Sequence, residues 1–327
     1  MPISLLRFNF VLPGRDPATL SSMYQAGIEM AAAADEAGFM AVTVEEHHGV
    51  DDGWSPAPLT IAGLMLGRTK NIRLMVQALL VPLNDPIRVA EQVAILDLAS
   101  GGRINVVAGL GYRPEEYADA GADWKGRGKT MDAYLEAIVN AWSGEEFEYD
   151  GRRLTVTPTP ATPAAGILFV GGSGKPAARR AARLGLGLLP AAHLPELEQY
   201  YNEQCAENGT TPFLIMPPAE TALTIIQEDP DKAWAELGHH LLHEASRYQS
   251  WQTDDVHSAV ASHASTVEEL RAEGIYRILS PEQAIEICKA EGDFATMILH
   301  PLVGGMPVDK AWDTVNLYIE KVLPALA

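Results

Sequence analysis

Two acidic side chains and two imidazoles stand together in the segment Glu45-Glu46-His47-His48, directly after the apolar run 39–44. That run has the pattern of a buried strand, and parallel α/β folds build their active sites at the carboxyl ends of strands. Carboxylates and imidazoles are the side chains that most often transfer protons. The placement favours an enzyme in which His47 moves a proton near neutral pH. Hydrogen-bonded scaffold histidines are the structural alternative.

A second segment with chemical potential is rich in glycine and lies between the apolar run 167–170 and a helix pattern rich in Ala and Arg. Glycines let backbone N–H groups approach an anion closely, and a helix amino end adds partial positive charge. The order strand, loop, helix predicts a phosphate site, with a tight turn as the alternative. The residues in this segment are Gly171, Gly172, Ser173, Gly174, Lys175 and Pro176, with Arg179 and Arg180 as further sources of charge.

The elements that must position these residues alternate along the chain. Short apolar runs, at 3–12, 39–44, 72–81, 104–110, 167–171, 186–189, 213–216 and 294–300, are separated by amphipathic helix patterns. Such βα repetition predicts parallel strands, and eight units predict the α/β fold of a TIM (β/α)8 barrel. A doubly wound sheet is disfavoured because the first βα turn, 12–16, lacks the Gly-x-Gly-x-x-Gly fingerprint.

The chain of 327 residues is longer than a bare TIM barrel of about 250 residues. We expect one domain over residues 1–327, with insertions near 111–128, 143–165 and 217–293 at the C-terminal face. Insertions of that kind usually shape a pocket. His300 ends the last predicted strand and either faces this pocket or is buried; Trp54, Tyr112 and Trp251 either line it or pack.

Composition limits the partners. A formal net charge of −19 repels nucleic acid and anionic membranes, so a small, largely uncharged substrate is expected. Only Cys205 and Cys288 are present, and no basic and apolar leader opens the chain, which favours a cytoplasmic location. His239, His240 and His243 lack the following Glu of a zinc protease, so we expect a wet helix face and no metal.

Together these segments resemble the bacterial luciferase-like monooxygenases, also called luciferase-like flavin-dependent oxidoreductases. The resemblance runs from residue 8 to residue 324 and rests on the order of several motifs. They are Glu46-His47-His48, Val81-Pro82-Leu83-Asn84-Asp85-Pro86 with Glu91, Leu96 to Arg103, Gly171 to Gly174, and His300 to Gly305. The family implies a TIM barrel that holds FMN or a deazaflavin coenzyme at its carboxyl face, and commonly a homodimer.

The resemblance also implies roles for individual residues. His47 matches the catalytic histidine, with Glu46 as a supporting group, and Gly172 and Ser173 match the flavin phosphate segment. A non-proline cis peptide beneath the flavin is implied at Gln77-Ala78. Two positions depart from luciferase. Gly109 replaces the reactive cysteine and Leu110 the phosphate-binding arginine, which leaves Arg113, Lys175 or Arg179 to supply charge.

The sequence therefore predicts a flavin-dependent monooxygenase that uses reduced FMN and dioxygen on a small, mainly apolar substrate, with the reduced flavin supplied by a separate reductase. A deazaflavin-dependent dehydrogenase or reductase is the alternative enzyme, and a non-catalytic flavin-binding protein is the alternative without turnover. A metal hydrolase is disfavoured because the adjacent His47 and His48 do not converge easily on one ion.

Overall fold

The computed structural model of the protein describes residues 2–251, 260, 262–292 and 295–327. Within these residues the strands are β1 (Ile3–Phe8), β2 (Ala41–Val44), β3 (Arg73–Leu80), β4 (Ile104–Gly109), β5 (Phe147–Tyr149), β6 (Arg152–Leu154), β7 (Leu168–Gly171), β8 (Gly187–Leu189), β9 (Leu223–Ile226), β10 (Tyr276–Leu279) and β11 (Thr296–Leu299). The α-helices are α1 (Pro17–Glu36), α2 (Pro58–Arg68), α3 (Pro86–Ser100), α4 (Pro114–Asp119), α5 (Arg127–Ala141), α6 (Ala164–Ile167), α7 (Lys175–Leu184), α8 (Pro195–Asn208), α9 (Pro230–Trp251), α10 (Val267–Glu273), α11 (Pro281–Glu291) and α12 (Val308–Leu317).

The chain divides into two compact units. The first consists of residues 1–56, 68–73 and 220–327, and the second of residues 57–67 and 74–219. That the chain forms a single domain stays a prediction.

The first unit contains five parallel strands in the order β10-β9-β11-β1-β2. Leu6 of β1 lies opposite Leu299 of β11 and Val42 of β2. The same register continues to the carboxyl ends of these three strands. It therefore brings the residues that follow them, including Glu45 and His300, to one edge of the sheet near Arg7.

The second unit contains four parallel strands in the order β3-β4-β7-β8. Every residue of β4 is buried, which agrees with its mainly apolar sequence; the exception, Asn105, donates to the Gly166 carbonyl at 2.9 Å. Strands β5 and β6 form a separate antiparallel hairpin inside the predicted insertion 143–165.

Helix ends explain several of the sequence motifs. The Asp85 carboxylate caps α3 by accepting from the Ile87 and Arg88 amides at 2.9 and 3.0 Å, and Pro86 occupies the first turn. Gly101 ends the helix with φ 70°. Arg103 caps the same helix end, because its Nε donates to the Ser100 carbonyl at 3.0 Å.

Two predictions about the elements are wrong. The segment 217–293 is not an insertion throughout, because β9 and β10 lie within it and pair in the sheet. The segment 213–216 is not a strand: it makes an isolated parallel bridge from Leu214 to Leu188. Phe294, the start of the predicted last strand, lies outside the described residues.

Candidate active site

His47 is buried in an aromatic cluster in the first unit. Its ring packs edge-on against Trp54, with centroids 5.0 Å apart at 88°, and tilts against Trp251 at 4.8 Å. Tyr248 completes the aromatic cluster by packing edge-on against Trp54 at 5.1 Å and 88°. Edge-to-face pairs favour particular ring orientations, so the cluster restricts the His47 ring. Trp54 and Trp251 are thus packing partners of His47.

Glu46 pairs with His48. The Oε1 atom of Glu46 lies 2.8 Å from Nε2 of His48, and the Glu46 side chain is almost fully buried. Glu46 and His48, on either side of His47 in the chain, are therefore in contact with each other. This contact makes Glu46 a group that orients the loop around His47.

Beneath the aromatic cluster lie four charged side chains, Arg7, Glu45, Glu244 and His300, which we call the buried quartet. Arg7 donates to Glu45 through Nε and to Oε1 of Glu244 through Nη1 at 3.1 Å. His300 directs Nδ1 at the Arg7 carbonyl at 2.8 Å and Nε2 at Oε2 of Glu244 at 2.8 Å. Both ring nitrogens of His300 thus lie within hydrogen-bond distance of oxygen atoms.

Glu244 is the anion at the centre of the buried quartet. Burial by itself raises the pKa of this carboxyl, but His300, Arg7 and the hydrogen bonds from His300 and Asn9 outweigh burial and lower the pKa from 4.5 to about 2. The Asn9 amide donates at 2.6 Å and the Tyr276 hydroxyl at 3.2 Å. The carboxylate therefore stays ionised throughout the physiological pH range.

Helix α9 supplies the covering face of this region. Its side chains at 243, 244, 247, 248 and 251 recur at helical spacing and contact the segments that follow β1, β2 and β11. Asp52 Oδ2 accepts from His243 at 2.9 Å and from Arg247 at 3.1 Å. His243 is thus held by a hydrogen bond to Asp52, and the prediction of a wet helix face is wrong at this position.

In the second unit, the neighbouring strands β4 and β7 each end in a glycine. Gly109 lies opposite Leu80, and Gly171 lies opposite Leu189. A Cβ on Gly109 would lie 2.7 Å from the Ala78 Cβ, and one on Gly171 would lie 2.9 Å from Val107. Both glycines are therefore required by close packing of the strands.

The predicted cis peptide bond between Gln77 and Ala78 is present. Ala78 packs, partly buried, with Met75 against an apolar cluster of Val107, Phe169 and Leu189. Met75 and Ala78 of β3 are thus partly exposed apolar side chains beside a buried cluster.

The loop 171–174 joins β7 to α7 and leaves three backbone donors unused. The amide N–H groups of Gly172, Ser173 and Gly174 donate to no other described residue. Ser173 Oγ accepts from the Ala191 amide at 3.3 Å, which leaves its hydroxyl proton available. Gly172 has φ 128°, a backbone conformation that favours glycine. This donor set suits an anion.

Of the basic residues predicted near this loop, Lys175 stands at the start of α7, with its ammonium 4.9 Å from the Tyr200 ring centroid. Arg179 donates to the Tyr200 hydroxyl at 3.2 Å. The other two are held by carboxylates, since Arg180 bonds Asp132 at 2.7 Å and Arg113 bonds Glu116 at 3.1 Å. Lys175 is the cation best placed to serve the loop.

The sequence profile of the luciferase-like monooxygenases matches residues 6–290. The chain belongs to the luciferase-like monooxygenase family. Its first curated relative is the oxygenase component of a flavin-dependent trigonelline monooxygenase from Acinetobacter baylyi, with 28% identity over 45% of this chain and 41% of that protein. The chain matches only about two fifths of the length of its first curated relatives.

Solved structures of luciferase-like proteins share the fold along the whole chain. The monooxygenase RslO1 from Streptomyces bottropensis superposes with a TM-score of 0.74 at 24% identity, covering 100% of both chains. The oxygenating constituent of 3,6-diketocamphane monooxygenase from Pseudomonas putida, in complex with FMN, gives 0.69 at 18% identity, over 99% of this chain and 98% of that one. An F420-dependent secondary alcohol dehydrogenase gives 0.67 at 18% identity, with both chains fully covered.

These likenesses confirm the predicted fold class, an α/β TIM barrel of the luciferase-like type. In the described residues of this family member, no group of three His, Cys, Asp or Glu side chains could hold a metal ion. None of its described helices is long and apolar enough to span a bilayer.

Several residues of this candidate site are not singled out by the sequence patterns. These residues are Arg7, Glu244 and Tyr248, while for His300 the sequence allows both a pocket position and the buried one that the structure shows. Two signals pointed to them. Arg7 and Asn9 are polar residues at the end of an apolar strand, and the polar and aromatic side chains of α9 repeat at helical spacing.

Proposed function

We propose that the protein is a flavin-dependent monooxygenase that uses reduced FMN and dioxygen on a small, mainly apolar substrate. The observation that carries the proposal is the set of unused amide donors at Gly172, Ser173 and Gly174 in a chain of the luciferase-like family. The FMN complex of a fold neighbour and the flavin-dependent relative support the choice of cofactor.

The residues of the loop fit a flavin phosphate. Three amides, the Ser173 hydroxyl, the amino end of α7 and the Lys175 ammonium together provide hydrogen bonds and positive charge. A dianionic phosphate needs such donors once it leaves water. The apolar surface that includes Ala78 and Met75 suits a flat aromatic ring. When bound, reduced flavin supplies the electrons that activate dioxygen.

The chain's own contribution to the chemistry is proton transfer and water exclusion. His47 is the proposed proton donor and acceptor, because an imidazole serves both roles near neutral pH. Glu46 supports it by holding His48 and thereby the loop. The aromatic cluster packs against the His47 ring and keeps water away from it.

We also propose that a separate reductase supplies the reduced flavin, as the description of the trigonelline relative as an oxygenase component suggests. A homodimer is proposed on the family resemblance, supported by the exposed apolar side chains Leu64 of α2 and Ile95 and Leu98 of α3. A molecular-mass measurement in solution tests it. The cytoplasmic location stays a proposal.

Titration of the purified protein with FMN, riboflavin and the deazaflavin coenzyme, each oxidised and reduced, tests the cofactor. We expect FMN to bind best. Ser173→Asp places a carboxylate beside the phosphate and should weaken FMN binding at least about tenfold, with riboflavin binding unchanged. The matched control is Ser22→Asp at an exposed position of α1, which should change neither affinity.

The result of the titration also separates the alternatives. Tighter binding of the reduced deazaflavin coenzyme would replace the proposal with a deazaflavin-dependent dehydrogenase or reductase. Tight FMN binding without dioxygen uptake, when reduced flavin and a panel of apolar substrates are supplied, would identify a non-catalytic flavin-binding protein. Equal loss of FMN and riboflavin in Ser173→Asp would contradict a phosphate role for the loop.

A further inference from the structure

We propose that Tyr248 is a positioning residue for His47 and acts through Trp54. The inference rests on the proposed function only in assuming that His47 transfers protons. Tyr248 lies on α9 and touches both the buried quartet and the aromatic cluster. Tyr248 therefore connects the buried quartet to the aromatic cluster that surrounds His47, the candidate proton donor.

The hydroxyl of Tyr248 is held from two sides. It accepts from Arg7 Nη2 at 2.7 Å and donates to Glu45 Oε2 at 2.8 Å. Both partners belong to the buried quartet and are themselves buried. Charge-assisted hydrogen bonds of this length are strong and directional, so they define the position of the phenol.

The fixed ring of Tyr248 restricts the orientation of the His47 ring through Trp54. Tyr248 and Trp54 meet edge-on at 5.1 Å and 88°, and Trp54 meets His47 in the same way at 5.0 Å and 88°. Two successive perpendicular contacts leave each ring few orientations in a close-packed site. A shift of the phenol therefore moves the indole, and the indole moves the imidazole.

Two further contacts support the same geometry. Trp251, one turn beyond Tyr248, packs on both His47 and Trp54. Asp52, two residues before Trp54, is bound by His243 and Arg247 of α9. Helix α9 therefore contacts the loop that carries Trp54 at two further places, in addition to the contact between Tyr248 and Trp54.

Tyr276 provides a matched control within the same network. Its buried hydroxyl also donates to a carboxylate of the buried quartet, Oε1 of Glu244, at 3.2 Å. Among the described residues, however, its ring makes no stacking contact with the aromatic cluster. Removing either hydroxyl costs the fold one buried hydrogen bond, but only Tyr248 is connected to His47.

The experiment compares Tyr248→Phe with Tyr276→Phe. The readouts are the NMR signal of the His47 ring, assigned with His47→Ala, and the steady-state rates with FMN, a reductase and a turned-over substrate. Tyr248→Phe should shift the His47 signal and lower kcat on the order of tenfold, with KM and FMN affinity unchanged. Tyr276→Phe should lower the melting temperature by a similar amount and leave the His47 signal and kcat unchanged.

A Tyr248→Phe protein with the His47 signal and kcat of Tyr276→Phe would overturn the proposal. If Tyr248→Phe does not fold, Trp54→Phe tests the same chain of contacts, and an unshifted His47 signal there also overturns it. A third outcome is that Tyr248→Phe shifts the His47 signal while His47→Ala keeps full turnover. This outcome would support the positioning by Tyr248. The same result would refute the proton role of His47, so the two failures are distinguishable.

Discussion

At the scale of single residues, the environment of His47 is set by contacts rather than by neighbours in sequence. Glu46, the adjacent carboxylate, bonds His48, while the rings of Trp54 and Trp251 pack on the imidazole. An imidazole ring packed between two indoles is restricted to one orientation, and little water reaches it. Such a histidine can deliver a proton to one place, which is what a proton donor in a flavin site requires.

His47→Ala is expected to lower turnover by roughly two to four orders of magnitude, the range associated with the loss of a general acid or base. The affinity for FMN should remain nearly unchanged, because the proposed phosphate loop lies elsewhere in the chain. His48→Ala is the control: it removes the Glu46 contact but keeps the candidate proton donor, so its effect should be smaller. Equal losses in both variants would argue against a special role for His47.

At the scale of elements, the position of α9 is determined by a glycine. Gly304, in the turn after β11, has φ 54°, and a Cβ there would lie 1.9 Å from the His240 carbonyl oxygen. The carbonyl of Gly304 in turn lies 2.9 Å from His240 Nδ1. The helix that carries Glu244 and Tyr248 therefore packs directly on this backbone. The family motif that ends in Gly304-Gly305 has a structural reason here.

Gly304→Ala should destabilise the protein by about 3 kcal/mol or more, because it combines a strained left-handed conformation with a clash against backbone. The control is Gly274→Ala, at φ 75° with nothing within 4 Å of the added Cβ, which should cost only about 1 kcal/mol. Urea unfolding of the two variants measures the difference. Similar urea midpoints for the two variants would show that α9 does not pack closely on Gly304 in solution.

Across the whole molecule, acid stability should depend on the buried quartet. Glu244 has a lower pKa in the folded protein than in the unfolded chain, so its contribution is fully present above pH 4.5 and is lost as the pH falls towards 2. A lowering from 4.5 to about 2 corresponds to roughly 3 kcal/mol.

Glu244→Gln imitates the protonated carboxyl and should lower the free energy of unfolding by roughly 3 kcal/mol at pH 7. The difference from the wild type should shrink between pH 4.5 and pH 2, in urea unfolding followed by tryptophan fluorescence. Glu29→Gln, which removes an exposed partner of Arg68, should show a small difference at every pH. A pH-independent difference for Glu244→Gln would contradict the lowered pKa.

Much of the architecture could be predicted from local patterns. Strands β1 to β4 lie inside the predicted runs, because buried parallel strands are short and apolar wherever they occur. Strands β9 and β10 were missed, and both lie within the segment 217–293 that the sequence predicts to be an insertion. The isolated bridge at Leu214 shows the opposite error, since the apolar run 213–216 pairs with β8 at one residue only.

By itself, the sequence determined which chemical groups end the strands, where helices begin and the family to which the chain belongs. These features depend on residues that are close in the chain, such as Asp85 and Pro86 at a helix start. The tertiary structure alone decided that Arg7 meets Glu244 and His300, which lie 237 and 293 positions away. Partners so distant are chosen by strand register and helix docking, which no local pattern of residues encodes.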